Sequence, residues 1–88
     1  MSELVFTKKA WEDYTYWQTQ DKKTLRRVNV LLREVQRDAF TGIGAPEALK
    51  HEFSGYWSRK IDEANRLVYE ILAEGNIRVI MCRGHYDV

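Results

Sequence analysis

Tyr56-Trp57-Ser58-Arg59-Lys60-Ile61-Asp62-Glu63-Ala64-Asn65-Arg66-Leu67-Val68-Tyr69-Glu70-Ile71-Leu72 is the stretch that decides the fold. Its first run alternates Trp57, Arg59 and Ile61 against Tyr56, Ser58 and Lys60. Its second alternates Leu67, Tyr69 and Ile71 against Arg66, Val68 and Glu70. A period of two with β-branched and aromatic residues marks strands, and the polar Asp62-Glu63-Ala64-Asn65 between them marks a turn. After a second turn at Glu74-Gly75-Asn76, residues 77–83 supply a third strand. Strands joined by such short turns run antiparallel.

Upstream the period changes. Leu4-Val5-Phe6 reads as a short first strand, and Thr7 is a candidate N-cap. Ala10, Trp11, Tyr14 and Trp17 then recur at helical spacing, with Tyr16 close to the same stripe, and the pattern predicts an aromatic face turned to the core. The polar segment 18–23 should hold the bend into a second helix. There Leu25, Val28, Leu32 and Val35 line one face, widened by Leu31, while Lys22, Lys23, Arg26, Arg27, Arg33 and Arg37 lie mostly off it. Such charges read first as a solvated face and second as a docking surface for ribosomal RNA. The predicted order is β-α-α-β-β-β: an α+β fold, an antiparallel sheet with two helices on one face.

Length and composition bound the rest. At 88 residues the chain reads as one domain, and 44% apolar with 31% charged residues suits a compact globule. The lone Cys82 allows no intrachain disulfide and reads as a buried apolar residue. No apolar run approaches the roughly 20 residues of a membrane span, and the N-terminus lacks the pattern of a signal peptide, so a cytoplasmic protein is expected. Net charge is only +1. A general nucleic-acid binder carries a stronger basic excess, so RNA contact must come from a local cluster or from a larger body that delivers the RNA.

Between Asp38 and Gly55 the periodicity fails, and Thr41-Gly42-Ile43-Gly44-Ala45-Pro46-Glu47 marks a loop that is long for so small a domain. Three polar groups are unexplained by their surroundings: Glu47 in this loop, Arg66 opening an otherwise apolar strand, and His85, with Tyr86, at the C-terminal end of the last strand. The ends of a three-strand meander and the preceding loop can converge. Carboxylate, guanidinium and imidazole are the types that RNA cleavage by 2′-hydroxyl attack requires. A base takes the 2′ proton, a cation offsets charge on the phosphate, and an acid protonates the departing 5′-oxygen. A histidine of ordinary pKa, about 6.5, is often neutral at pH 7, so an acid role asks for a nearby phosphate or carboxylate. Lys50, His51, Arg59, Lys60 and Arg83 add charge or hydrogen bonds near the same loop and strands, and Tyr86 can stack on a base. No metal-ligand cluster is legible. Each of these residues alone also has a plain reading: a solvated charge, an ion-pair partner of Asp62 or Glu63, a frayed end.

Several separated segments, taken in order, carry a resemblance: Ala10-Trp11-Glu12-Asp13-Tyr14, Tyr16-Trp17, Asp21-Lys22-Lys23, Pro46-Glu47, Leu49-Lys50-His51, Ser54-Gly55-Tyr56-Trp57-Ser58-Arg59, Arg66-Leu67-Val68-Tyr69 and His85-Tyr86. Over nearly its full length the chain resembles the YoeB (Txe) toxins of the RelE superfamily. The resemblance implies a microbial RNase-like fold and a metal-independent, cofactor-free endoribonuclease that cuts messenger RNA in the ribosomal A site and so inhibits translation. It implies Glu47 as general base, Arg66 as stabiliser of the transition state, His85 as general acid and Tyr86 as the residue orienting the nucleotide. Lys50, His51, Arg59 and Lys60 would contact RNA or support the site. Expected partners are a YefM-like antitoxin, the ribosome with its mRNA, a second copy of the chain, and, for the toxin–antitoxin complex, operator DNA. Where the family usually has Lys-Pro-Glu-Pro-Leu this chain has Ala45-Pro46-Glu47-Ala48-Leu49; its Arg-Arg pair is Arg59-Lys60, and Asp87-Val88 extend past Tyr86. These departures predict lower activity or an altered codon preference. A catalytically weak protein that binds ribosome or antitoxin and acts as a corepressor is the alternative, and it would survive loss of Glu47 and His85.

Overall fold

The computed structural model describes residues 2–86; the expected effect of Asp87 and Val88 lies outside the described residues. Strand β1 (Leu4–Phe6) leads into helices α1 (Lys8–Gln20) and α2 (Lys22–Arg37), followed by β2 (Glu47–Ala48), β3 (Trp57–Lys60), β4 (Arg66–Ile71) and β5 (Ile77–Met81). A single 3-10 turn spans His51–Phe53. Thr7 caps α1, its hydroxyl accepting the Ala10 N–H. One residue, Asp21, ends α1 and caps α2, its carboxylate accepting from the Thr24 N–H and hydroxyl. Satisfying donors on both sides of the break lets the chain reverse direction without a loop.

The sheet order is β1-β5-β4-β3-β2. The β2-β3, β3-β4 and β4-β5 pairs are antiparallel, as expected. β1 corrects the expectation of an antiparallel sheet: it lies parallel to β5, with Leu4 opposite Ile77 and Phe6 opposite Val79. Alternation within a strand fixes which side chains share a face and says nothing of the direction of a partner that lies far off in sequence. The two-residue β2 is also new: within the segment whose pattern predicts a loop, Glu47 pairs with Ser58 of β3.

The core lies between the helices and one sheet face, where Val28, Leu31, Leu32 and Val35 of α2 meet Leu67, Tyr69, Ile77 and Val79. The aromatic stripe of α1 divides. Ala10 and Trp17 are buried, but the third residue of that line is Asp13, and Trp11 is 54% exposed. Trp11 packs instead on Phe6 and Tyr14 at the margin of the fold. Residues 10, 13 and 17 follow the i, i+3, i+7 spacing of one face. Asp13 is tolerated there because its carboxylate accepts the Cys82 N–H at 3.1 Å and pairs with Lys9. Polarity thus hid a core position.

A bulge interrupts the β4-β5 ladder: Tyr69 faces Val79 and Val68 faces Met81, which leaves Ile80 extra. Its carbonyl accepts the Thr7 hydroxyl at 3.1 Å. The extra residue inverts the alternation, so that Cys82 rather than Met81 follows Ile77 and Val79 into the core. Trp17 Nε1 donates to the Cys82 carbonyl at 2.9 Å, so α1 holds both backbone polar groups of the residue at which the chain leaves the sheet.

Candidate active site

Cross-strand partners point to the same face, so the pairings Glu47 with Ser58 and Lys60 with Arg66 put all four side chains on the sheet face away from the helices. The chain beyond β5 folds across this face. There Ala45, Glu47, Ser58, Lys60, Arg66, His85 and Tyr86 line one cleft of about 270 Å³. An adjoining hollow of about 660 Å³ shares Glu47 and Tyr86 and is walled by Leu49, Lys50 and His51. The structure therefore brings Glu47, Arg66, His85, Tyr86 and Lys60 together and sets Lys50 and His51 beside them. Ser58, which sequence reasoning did not single out as a site residue, lies between Glu47 and Val68 in the same row; its place on the face opposite Trp57 and Arg59 was the available signal.

Glu47 is exposed on the edge strand, and Ala45 ahead of it is held at a left-handed φ of 50°. Residues other than glycine rarely adopt this conformation, and here it turns the chain into β2. The Tyr86 hydroxyl donates to Glu47 Oε1 at 3.5 Å, a long contact that leaves the carboxylate accessible. The Tyr86 ring lies against Phe53 and His85, with centroids 5.6 and 4.7 Å away. Arg66 is moored by one arm: Nη1 donates to the carbonyls of Asp62 and Asn65 in the β3-β4 turn. His85 Nδ1 lies 2.8 Å from the Tyr86 carbonyl. A carbonyl only accepts, so Nδ1 carries the hydrogen and Nε2 is the nitrogen left for other chemistry. Lys60 Nζ donates to Glu63 at 2.7 Å and, with Arg66, holds that carboxyl below its ordinary range.

Of the two roles expected for Arg59, contact with RNA or support of the site, its surroundings fit the second. It is fully buried: Nε donates to the Tyr69 hydroxyl, Nη1 to the Ile43 carbonyl, and Nη2 to the carbonyls of Asp38 and Thr41. With these donors engaged and no exposed surface, it cannot reach a phosphate. It anchors the 38–44 loop instead, which leads into β2. The alternation that groups it with Trp57 and Ile61 already places it on the core face.

A short mixed sheet backed by two helices, with an acidic, a basic and an imidazole side chain around a cleft on its open face, defines a RelE-like toxin fold. The chain belongs to the YoeB-like toxins of bacterial type II toxin–antitoxin systems, whose family model matches residues 6–86. It is 49% identical over 84 residues to the toxin YoeB of Synechocystis, covering 96% of each chain. Among solved structures it is similar to a YoeB/ParE toxin from Agrobacterium tumefaciens (TM-score 0.92, 41% identity, 96% and 99% of the two chains covered). It is also similar to YoeB from Staphylococcus aureus in a heterotetrameric YoeB–YefM complex (TM-score 0.87, 40% identity, 98% and 99% covered). A YoeB dimer from the same organism matches at TM-score 0.86 and 41% identity, covering 97% and 98%. Among the described residues no helix is long and apolar enough to cross a membrane.

Proposed function

We propose that this toxin is an endoribonuclease that cuts messenger RNA in the A site of the ribosome and thereby halts translation in the cytoplasm. The observation that carries the reading is the convergence of Glu47, Arg66, His85 and Tyr86 on one cleft, although they come from three separate stretches of sequence. Glu47 takes the proton of the 2′-hydroxyl as that oxygen bonds to the adjacent phosphorus. Arg66, held by Nη1, offers the rest of its guanidinium to the equatorial phosphate oxygens. The P–O5′ bond breaks, and an imidazolium at His85 delivers its Nε2 proton to the leaving oxygen. The products are a 2′,3′-cyclic phosphate and a 5′-hydroxyl. Tyr86 stacks on or orients the nucleotide, while Lys60 in the cleft and Lys50 and His51 along the adjoining hollow bind phosphates. These side chains provide base, cation and acid between them.

The net charge of +1 supports a ribosome-dependent enzyme, since capture of free RNA rests on a larger positive excess. The family supports a YefM-like antitoxin as the neutralising partner, with homodimerisation and operator binding by the complex as further expectations.

Primer extension on programmed ribosomes tests the reading. The expected result is A-site cuts by the unmutated chain, none on the same RNA without ribosomes, and a loss of roughly a hundredfold or more in Glu47→Ala and His85→Ala. Ribosome binding without cuts, unaffected by either substitution, would replace the nuclease with a binding protein.

A further inference from the structure

We propose that Asn65 is a positioning residue that fixes the His85–Tyr86 segment relative to Arg66. The inference rests on the nuclease reading of the cleft and adds a residue that does not line it.

The β5 ladder ends at Met81, so the chain that carries His85 must be fastened by other means. Asp13 and Trp17 hold Cys82. The last fixed point before His85 is Gly84, and its two backbone polar groups are taken by Asn65, which ends the β3-β4 turn, and by Arg66, which opens β4. Its N–H donates to Asn65 Oδ1 at 2.7 Å, and its carbonyl accepts the Arg66 N–H at 2.9 Å. Gly84 sits at a φ of +90°, a conformation natural to glycine, and nothing lies closer than 4.0 Å to where a Cβ would be. The hydrogen bonds at its N–H and carbonyl thus restrain torsions that glycine would otherwise leave free. Beyond it, among the described residues, the His85 side chain bonds to the Tyr86 carbonyl, and Tyr86 reaches Glu47 at 3.5 Å.

Asn65 also orders the other half of the site. Its Nδ2 donates to Asp62 Oδ1 and Oδ2 at 3.0 and 3.2 Å. The same carboxylate accepts the N–H groups of Ala64 and Asn65 and so closes the turn whose carbonyls moor Arg66 Nη1. One amide side chain, accepting on one side and donating on the other, thereby ties the anchor of Arg66 to the segment bearing His85. Displacements of about 1 Å at a reacting group can cost on the order of a hundredfold in rate, which gives such a tether kinetic weight.

The test uses three variants of the full chain: Asn65→Ala, Asn65→Asp, and Asn65→Asp combined with Asp62→Asn. The single acidic change keeps an acceptor for Gly84 but sets two carboxylates against each other. The double change restores a donor–acceptor pair with the roles exchanged. The readouts are single-turnover cleavage and affinity on programmed ribosomes, amide exchange of Gly84 in glycine-labelled protein, where only five glycines contribute, and the imidazole resonances of the two histidines. In Asn65→Ala, Gly84 exchange accelerates, the His85 resonances move while those of His51 stay, and cleavage falls roughly tenfold to a hundredfold at unchanged ribosome affinity. Asn65→Asp behaves similarly, and the double variant recovers most of the rate.

Unmutated cleavage in a variant whose Gly84 has become free would overturn the proposal, as would cleavage that falls only in step with ribosome affinity or melting temperature. Were the unmutated chain to cut nothing, the nuclease reading would fall, and the Gly84 and His85 signals alone would decide the positioning role.

Discussion

Arg59 and Tyr69 meet inside the core, where the guanidinium Nε donates to the tyrosine hydroxyl at 3.2 Å and that hydroxyl donates onward to the Ala39 carbonyl at 2.7 Å. With the three carbonyls that Arg59 also reaches, this chain of bonds pulls residues 38–43 of an otherwise irregular loop onto the sheet. The loop delivers Glu47, so a buried cation that never touches the cleft determines where one of its walls stands. Burial raises the pKa of Tyr69, an effect that the neighbouring Arg59 partly offsets, and the hydroxyl remains a donor.

Replacing Arg59 with lysine, although it keeps the charge, is expected to destabilise the fold by about 3 kcal/mol. A lysine cannot reproduce a planar fork that meets four acceptors, and each buried polar group left unsatisfied costs roughly 1–3 kcal/mol. Urea unfolding checks this. A midpoint unchanged from that of the unmutated chain would show that the carbonyl set is dispensable.

Gly44→Ala should cost about 2 kcal/mol or more, for two reasons that add. Its φ of +87° is left-handed, a conformation that costs an L-residue roughly 1–2 kcal/mol. A Cβ there would also stand 2.9 Å from Leu31 Cδ2 and 3.1 Å from Arg59 Cβ. Gly55→Ala is the control: it has a comparable φ of +98° with nothing within 4 Å, and should lose only the conformational part. Equal melting temperatures for the two variants would remove the packing argument.

The Cys82 thiol is raised from 9.0 to about 12, first by burial and then by the nearby Asp13 carboxylate. An acid whose folded pKa is raised binds its proton more tightly in the folded state. Its stabilisation is complete below pH 9 and is lost as pH climbs through the interval from 9 toward 12. Unfolding midpoints of the native chain should therefore decline across that interval, and more shallowly in Cys82→Ala, where only groups such as Tyr69 still contribute. In the folded protein at neutral pH the thiol should resist alkylation, because the thiolate is the reactive form. Rapid labelling under native conditions would contradict the buried placement.

The departures from the family pattern define a fourth experiment. Ala45, Glu47 and Lys60 line the cleft, and Ala48 borders the hollow beside it. Ala45→Lys and Lys60→Arg would add a charge and a bidentate phosphate donor, while Ala48→Pro would stiffen the edge strand, a place in a sheet where proline is accommodated. The combined variant, also lacking Asp87 and Val88, is expected to cleave faster or with shifted codon preference on programmed ribosomes. Identical rates and cut patterns would mean that these positions do not tune the enzyme.

The sequence by itself determined the local order of this protein. A period of two specified β3 and β4 and which side chains share a face, Arg59 with Trp57 and Ile61 among them. A helical period set α2, and the side-chain oxygens of Thr7 and Asp21 set where the helices begin. Residue types also nominated Glu47, Arg66 and His85, because the chemistry of RNA cleavage asks for few kinds of group. Only the tertiary structure decided what depends on contacts between distant segments. These are the parallel seat of β1 on β5, the bulge at Ile80 that sends Cys82 inward, the core place of Asp13, and the meeting of Glu47 with Tyr86, 39 residues apart. Periodicity is a property of neighbours along the chain, and it carries no term for a hydrogen bond whose two partners lie on different elements.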